Sequence, residues 1–115
     1  LTAVEMFQET GLVFKRFFLI EDVKNGSRGG HAHKYTDQIL KVIQGSIRIN
    51  YQFFSQNESL ILNSKSKPIF LPKLTWVEMT EISEETIILV LSSDEYNIKN
   101  SLRDKKSYLD YISNI

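Results

Sequence analysis

Ile47-Arg48-Ile49-Asn50-Tyr51-Gln52-Phe53 alternates apolar and polar side chains at every step. A period of two places the apolar set on one face, which is the pattern of a half-buried strand. Outward from it, further strands are expected at Val13 to Ile20, His31 to Lys34, Gln38 to Ile43, Leu60 to Leu62, Ile69 to Leu71, Trp76 to Met79 and Thr86 to Leu91. Ile87-Ile88-Leu89-Val90-Leu91 is apolar on both faces, as expected in the middle of a sandwich. Turn-forming stretches separate these runs: Lys24-Asn25-Gly26-Ser27, Gln44-Gly45-Ser46, Ser55-Gln56-Asn57, Asn63-Ser64-Lys65-Ser66 and Glu81 to Glu85. About eight short strands at near-regular spacing predict an all-β antiparallel sandwich or barrel. The tail from Ile98 to Ile115 departs, with Leu102, Leu109 and Ile112 spaced for one or two helical turns.

A protein of 115 residues is expected to form a single domain, 1–115. Lys plus Arg equals Asp plus Glu at 14 each, so nothing in the composition suggests a broad basic face for nucleic acid or anionic lipid. Cysteine is absent, which removes thiolate chemistry, cysteine-based zinc sites and disulfides, and fits a cytoplasmic setting. No apolar run approaches the ~18–20 residues of a membrane-spanning helix, so no membrane role is expected. The start, Leu1-Thr2-Ala3-Val4-Glu5, lacks a methionine, and we expect it to be trimmed or excised from a longer polypeptide.

The stretch Arg28-Gly29-Gly30-His31-Ala32-His33-Lys34 holds both of the 2 histidines in the sequence, one residue apart. On a strand, both imidazoles project from the same face. Two groups titrating near neutrality in one pocket make either a metal-binding pair or an acid/base pair. An inward H-x-H pair on a small β-barrel invites comparison with the cupins. Their first metal motif continues through a glutamate to a glycine, and the frame here runs His31, His33, Gln38, Gly45. The glutamate has become Gln38, a neutral amide and a poor ligand for a hard divalent ion. In the second motif, P-x-G-x-x-H, the run is Pro72-Lys73-Leu74-Thr75-Trp76-Val77, so its histidine is Val77. Two neutral ligands fall short of the three protein ligands of a catalytic metal site. The weight moves to acid/base chemistry, with no metal and no cofactor expected.

The sequence resembles the small cupins that act as nucleotide-sugar 3,4-ketoisomerases, the WxcM-like or FdtA-type family. The resemblance rests on Arg28 to Lys34, Gln38 and Gly45-Ser46. It extends to Lys15-Arg16, Phe18, Asp22-Val23, Leu71-Pro72, Trp76, Glu78-Met79, Ser83, Val90-Leu91 and Leu102-Arg103-Asp104. It implies a jelly-roll cupin that moves the ketone of dTDP-4-keto-6-deoxyglucose from C4 to C3 without metal, for deoxyamino-sugar and surface-polysaccharide synthesis. It also implies a homodimer with exchanged N-terminal strands. Under the resemblance His31 and His33 are the catalytic pair, and Arg16 and Arg28 bind the diphosphate through bidentate guanidinium contacts. Gln38 is a hydrogen-bonding group for the sugar or a histidine, or a polar contact within the sheet, and Trp76 is a stacking surface at the barrel rim or part of the core packing.

Several stretches depart from the family pattern. Phe18-Leu19-Ile20-Glu21-Asp22 stands where the family has F-Y-I-Y-D, with tyrosines that reach the active site. Pro72-Lys73-Leu74 replaces Pro-Pro-Gly, and a reshaped rim turn is expected there. Alternatives to the isomerase are a non-catalytic sugar-nucleotide-binding cupin, a related epimerase and a metal-dependent cupin.

Overall fold

A computed structural model describes residues 13–94 and 98–115, and within them the period-two segments become strands. In sequence order these are β1 (Arg16–Ile20), β2 (Arg28–His33), β3 (Gln38–Gln44), β4 (Ser46–Phe53), β5 (Gln56–Asn63), β6 (Ile69–Leu71), β7 (Thr75–Thr80), β8 (Ile87–Ser92) and β9 (Ser101–Leu102). A helix, α1 (Lys105–Ser113), follows. The strands form a four-stranded sheet in the order β1-β8-β3-β6 and a five-stranded sheet in the order β5-β4-β7-β2-β9. Every strand pairing is antiparallel. This is the all-β cupin jelly roll with a helical tail that the sequence predicts.

Ile47 and Ile49 of β4 and Val77 and Met79 of β7 face Leu40 and Val42 of β3 and Ile88 and Val90 of β8 across the core. All are buried, each stabilising the fold by roughly 1.5–3 kcal/mol relative to exposure. The opposite face of the four-stranded sheet is apolar yet open. Phe17 is 71% exposed, Leu19 52% and Phe70 40%. The two-sided apolar character of β8 therefore splits. Ile88 and Val90 are buried, whereas Ile87, Leu89 and Leu91 are only half-buried on that outer face.

Three strand starts differ from expectation by three residues or more. β1 begins at Arg16 rather than Val13, and Val13 is exposed. β2 begins at Arg28 rather than His31, because Arg28 still pairs with Met79 through a register shift before His31 pairs with Val77. β5 begins at Gln56 rather than Leu60, since the backbone pairs with β4 from Phe53 opposite Gln56 onward. The expected turn Ser55-Gln56-Asn57 is thus a tighter one, centred on Phe54 and Ser55.

Asp104 starts α1, its carboxylate accepting from the Ser107 N–H at 3.0 Å. The helix buries Tyr108 completely against Trp76 and Ala32, on the outer side of the five-stranded sheet. No helix among the described residues is long and apolar enough to cross a membrane.

Candidate active site

β2 carries the site, and its two glycines play different parts. A Cβ on Gly30 would fall inside the Trp76 indole, 2.6 Å from Cε2 and 2.9 Å from Nε1. Only a glycine at this position lets β2 lie on Trp76. A Cβ on Gly29 would meet nothing within 4 Å. The register shift between Arg28 and His31 sits at these glycines, and such a bulge re-aims the side chains beyond it.

Beyond the bulge, His31 and His33 point inward with ring centroids 5.0 Å apart and planes at 78°. Ala32 between them faces the opposite way, packed with Trp76 and Tyr108. Burial lowers the His31 pKa, opposed by a hydrogen bond to the Gly29 backbone and reinforced by the charges of Arg103 and Arg28. Burial, then His31, Arg103 and Arg16, push His33 down to about 4. His33 is therefore neutral at physiological pH, the form that accepts a proton. Ser101 Oγ lies 3.4 Å from His33 Nδ1.

The imidazoles open into a cavity of about 590 Å³ lined by Arg16, Phe18, Arg28, Gly29, Gly30, His31, His33 and Arg103. Arg16 stands over the Phe18 ring, its guanidinium carbon 4.5 Å from the centroid. Behind the histidines lies a pocket of about 10 Å³, room for a single water, between Thr36, Gln38, Thr75 and Val77. Thr75 Oγ1 is buried there without a hydrogen-bond partner.

Of the residues singled out in the sequence, His31, His33, Arg16 and Arg28 share the large cavity, and Gln38 closes the small pocket behind it. Trp76 does not join them; it packs in a core cluster with Ala32 and Tyr108, the second of its two readings. Along β7, Thr75 and Val77 face inward, so Trp76 faces outward, where α1 covers it to 4% exposure. Its indole N–H donates to Glu78 Oε1 at 3.0 Å, on the same outer side. Leu19 and Glu21 also lie off the cavity, and both are exposed.

The rim turn is closed by one backbone hydrogen bond. Thr75 N–H donates to Pro72 C=O at 3.2 Å, and Leu74 takes the left-handed φ of 70° that a glycine would adopt. Two cavity residues escape the sequence reading. Phe18 packs against the core and also lines the cavity, because it alternates with Arg16 and so shares its face. Arg103 reaches the cavity only because β9 pairs with the histidine strand, Ser101 opposite His33, and local patterning holds no trace of that pairing.

Among the described residues no three His, Asp or Glu side groups come together as a metal-ligand set. The cavity instead offers two imidazoles and three guanidinium groups. That constellation fits proton transfer on a phosphate-bearing substrate. The family model described as WxcM-like, C-terminal matches residues 1–113. The protein belongs to this family.

Relatives of this WxcM-like domain include the TDP-4-oxo-6-deoxy-alpha-D-glucose-3,4-oxoisomerase of Aneurinibacillus thermoaerophilus. It is 29% identical over 116 residues, covering 100% of this sequence and 84% of the relative. A 3,4-ketoisomerase from Helicobacter canadensis superposes with a TM-score of 0.85 at 34% identity, covering 93% of this protein and 81% of that one. A mutant of the 3,4-ketoisomerase from Thermoanaerobacterium thermosaccharolyticum, with histidine changed to asparagine, is solved in complex with TDP-4-keto-6-deoxyglucose. It superposes at TM-score 0.80 and 28% identity, covering 88% of this protein and 74% of that one.

Proposed function

We propose that this WxcM-like domain catalyses metal-independent 3,4-ketoisomerisation of a dTDP-4-keto-6-deoxyhexose. The observation that carries the reading is the pair of inward imidazoles, 5.0 Å apart, facing one cavity with three arginines. One imidazole takes the C3 proton, which is acidic because it lies next to the C4 ketone. The electron pair moves to O4, giving an enediol once O4 is protonated. Loss of the O3 proton and protonation of C4 then leave the ketone at C3. Hydrogen and electrons balance within the substrate, so no oxidant or reductant is needed. A proton-accepting His33 suits the first step. Arg16, Arg28 and Arg103 hold the diphosphate, and their field stabilises negative charge as it develops on the enediolate.

The relative crystallised with the keto-sugar nucleotide supports this substrate class. Metal independence is supported by a donor set of two imidazoles beside Gln38 and Val77. We place the enzyme in the cytoplasm as a homodimer supplying deoxyamino-sugar and surface-polysaccharide synthesis. The apolar outer face with Phe17, Leu19 and Phe70 supports a second copy. The expected exchange of N-terminal strands concerns residues outside those described.

The test is conversion of dTDP-4-keto-6-deoxyglucose to its 3-keto isomer, followed by NMR. Purified protein stripped of metal should convert it, whereas His31→Asn and His33→Asn should be slower by about 10²–10⁴-fold while still binding TDP. Full-rate conversion by both variants, or none by the wild type, would overturn the reading.

A further inference from the structure

His33 is held both at its ring and at its backbone. The ring meets Ser101 Oγ on β9 at 3.4 Å, and the backbone carbonyl accepts from the Leu74 N–H at 2.8 Å. Leu74 makes that bond at a φ of 70°, a conformation a γ-branched residue occupies under strain. Something must hold it there. The Leu74 C=O, on the other side of the same residue, is 2.8 Å from the hydroxyl of Tyr108, which also lies 3.0 Å from Gln52 C=O. Tyr108 is fully buried beneath α1, and burial raises its pKa, so the hydroxyl keeps its proton to donate.

We propose that Tyr108 is a positioning residue for His33. Its hydroxyl pins the Leu74 carbonyl, which keeps Leu74 in the left-handed conformation that presents its N–H to the His33 backbone. The route from α1 to the imidazole is then continuous: Tyr108 hydroxyl, Leu74 carbonyl, Leu74 amide, His33 carbonyl. The Asp104 cap that starts α1 and the Arg103 that enters the cavity belong to the same short segment as Tyr108. Closing the C-terminal helix onto the barrel therefore also sets the catalytic strand.

The inference rests on the isomerase reading for its kinetic arm and is independent of it for its spectroscopic arm. Tyr108→Phe keeps the ring packing against Trp76 and removes only the hydroxyl. It should lower kcat about tenfold with KM within twofold of wild type. The pH titration of the His33 ring, followed by NMR without substrate, should shift or broaden. Adding Leu74→Gly should restore both kcat and the His33 titration, because glycine adopts the positive φ without a tether. The double variant should nonetheless melt lower than Tyr108→Phe, having lost a buried leucine side chain. A purely structural role for Tyr108 predicts the reverse, with activity following the melting temperature and no rescue. Wild-type kinetics and an unchanged His33 titration in Tyr108→Phe, or a double variant no better than the single, would overturn the inference. If the wild type itself proves inactive on the keto-sugar, the functional reading fails, and the titration still decides the role of Tyr108.

Discussion

Adding one methyl group at Gly30 should cost far more than adding it at Gly29, the residue next door. A Gly30→Ala Cβ would overlap the Trp76 indole, whereas a Gly29→Ala Cβ would project into open space. Trp76 has little room to yield. It is 4% exposed, its N–H is bound to Glu78 at 3.0 Å, and its ring lies 5.5 Å from that of Tyr108. Overpacking a rigid core site costs about 1–3 kcal/mol, and the crowding here belongs at the upper end. Displacing the indole from Glu78 adds about 1 kcal/mol. The sum is roughly 3–4 kcal/mol, a fall in Tm of about 10–15 °C for a domain of this size. Gly29→Ala should stay within about 0.5 kcal/mol of wild type, or gain slightly from the stiffer unfolded state. Thermal unfolding by circular dichroism reads both. Fluorescence of Trp76, the only tryptophan in the sequence, reports the displacement directly. Equal melting temperatures for the two variants would refute the claim that β2 lies on the indole.

Arg103→Ala removes a charge that lowers both histidines, so their pKa values should rise, and TDP binding should weaken about 10–100-fold by calorimetry. Unchanged affinity would place Arg103 outside the nucleotide site. Because folding depresses the His33 pKa from 6.5 to about 4, the unfolded state binds the extra proton between those values. Stability from this group is then full above 6.5 and falls as the pH drops toward 4. Complete separation would amount to roughly 3 kcal/mol; partial exposure cuts it to about 1–2. Urea unfolding should show this slope in the wild type and a shallower one in His33→Asn, and identical slopes would contradict the assignment. Trp76→Phe should destabilise by about 1–3 kcal/mol yet leave KM within about twofold, since the indole lies on the far side of the sheet from the cavity. A large rise in KM would return Trp76 to the site.

What is legible in the sequence follows from local periodicity. Ile47 to Phe53 announces its strand and its buried face, and H-x-H on a strand places both imidazoles together. What is illegible depends on partners distant in sequence. The first half of β5 is polar and exposed, so only its backbone pairing with β4 makes it a strand. Trp76 looks like a rim residue because nothing local reveals that α1 covers the outer face of β7. Arg103 enters the cavity through the pairing of β9 with β2, a contact between segments about 70 residues apart. Leu74 is illegible for a different reason: a leucine does not announce the left-handed φ of 70° that the neighbouring hydrogen bonds hold.

In the proposed reaction the two neutral imidazoles move a carbon-bound proton on the sugar ring. Its most direct test is proton NMR of dTDP-4-keto-6-deoxyglucose incubated with the metal-stripped protein in D2O. Deuterium should appear at ring carbons C3 and C4 with the wild type, and exchange should slow by about 10²–10⁴-fold in His31→Asn and His33→Asn. Undiminished exchange in both variants would contradict it, as would a wild type that binds TDP and leaves every ring proton in place.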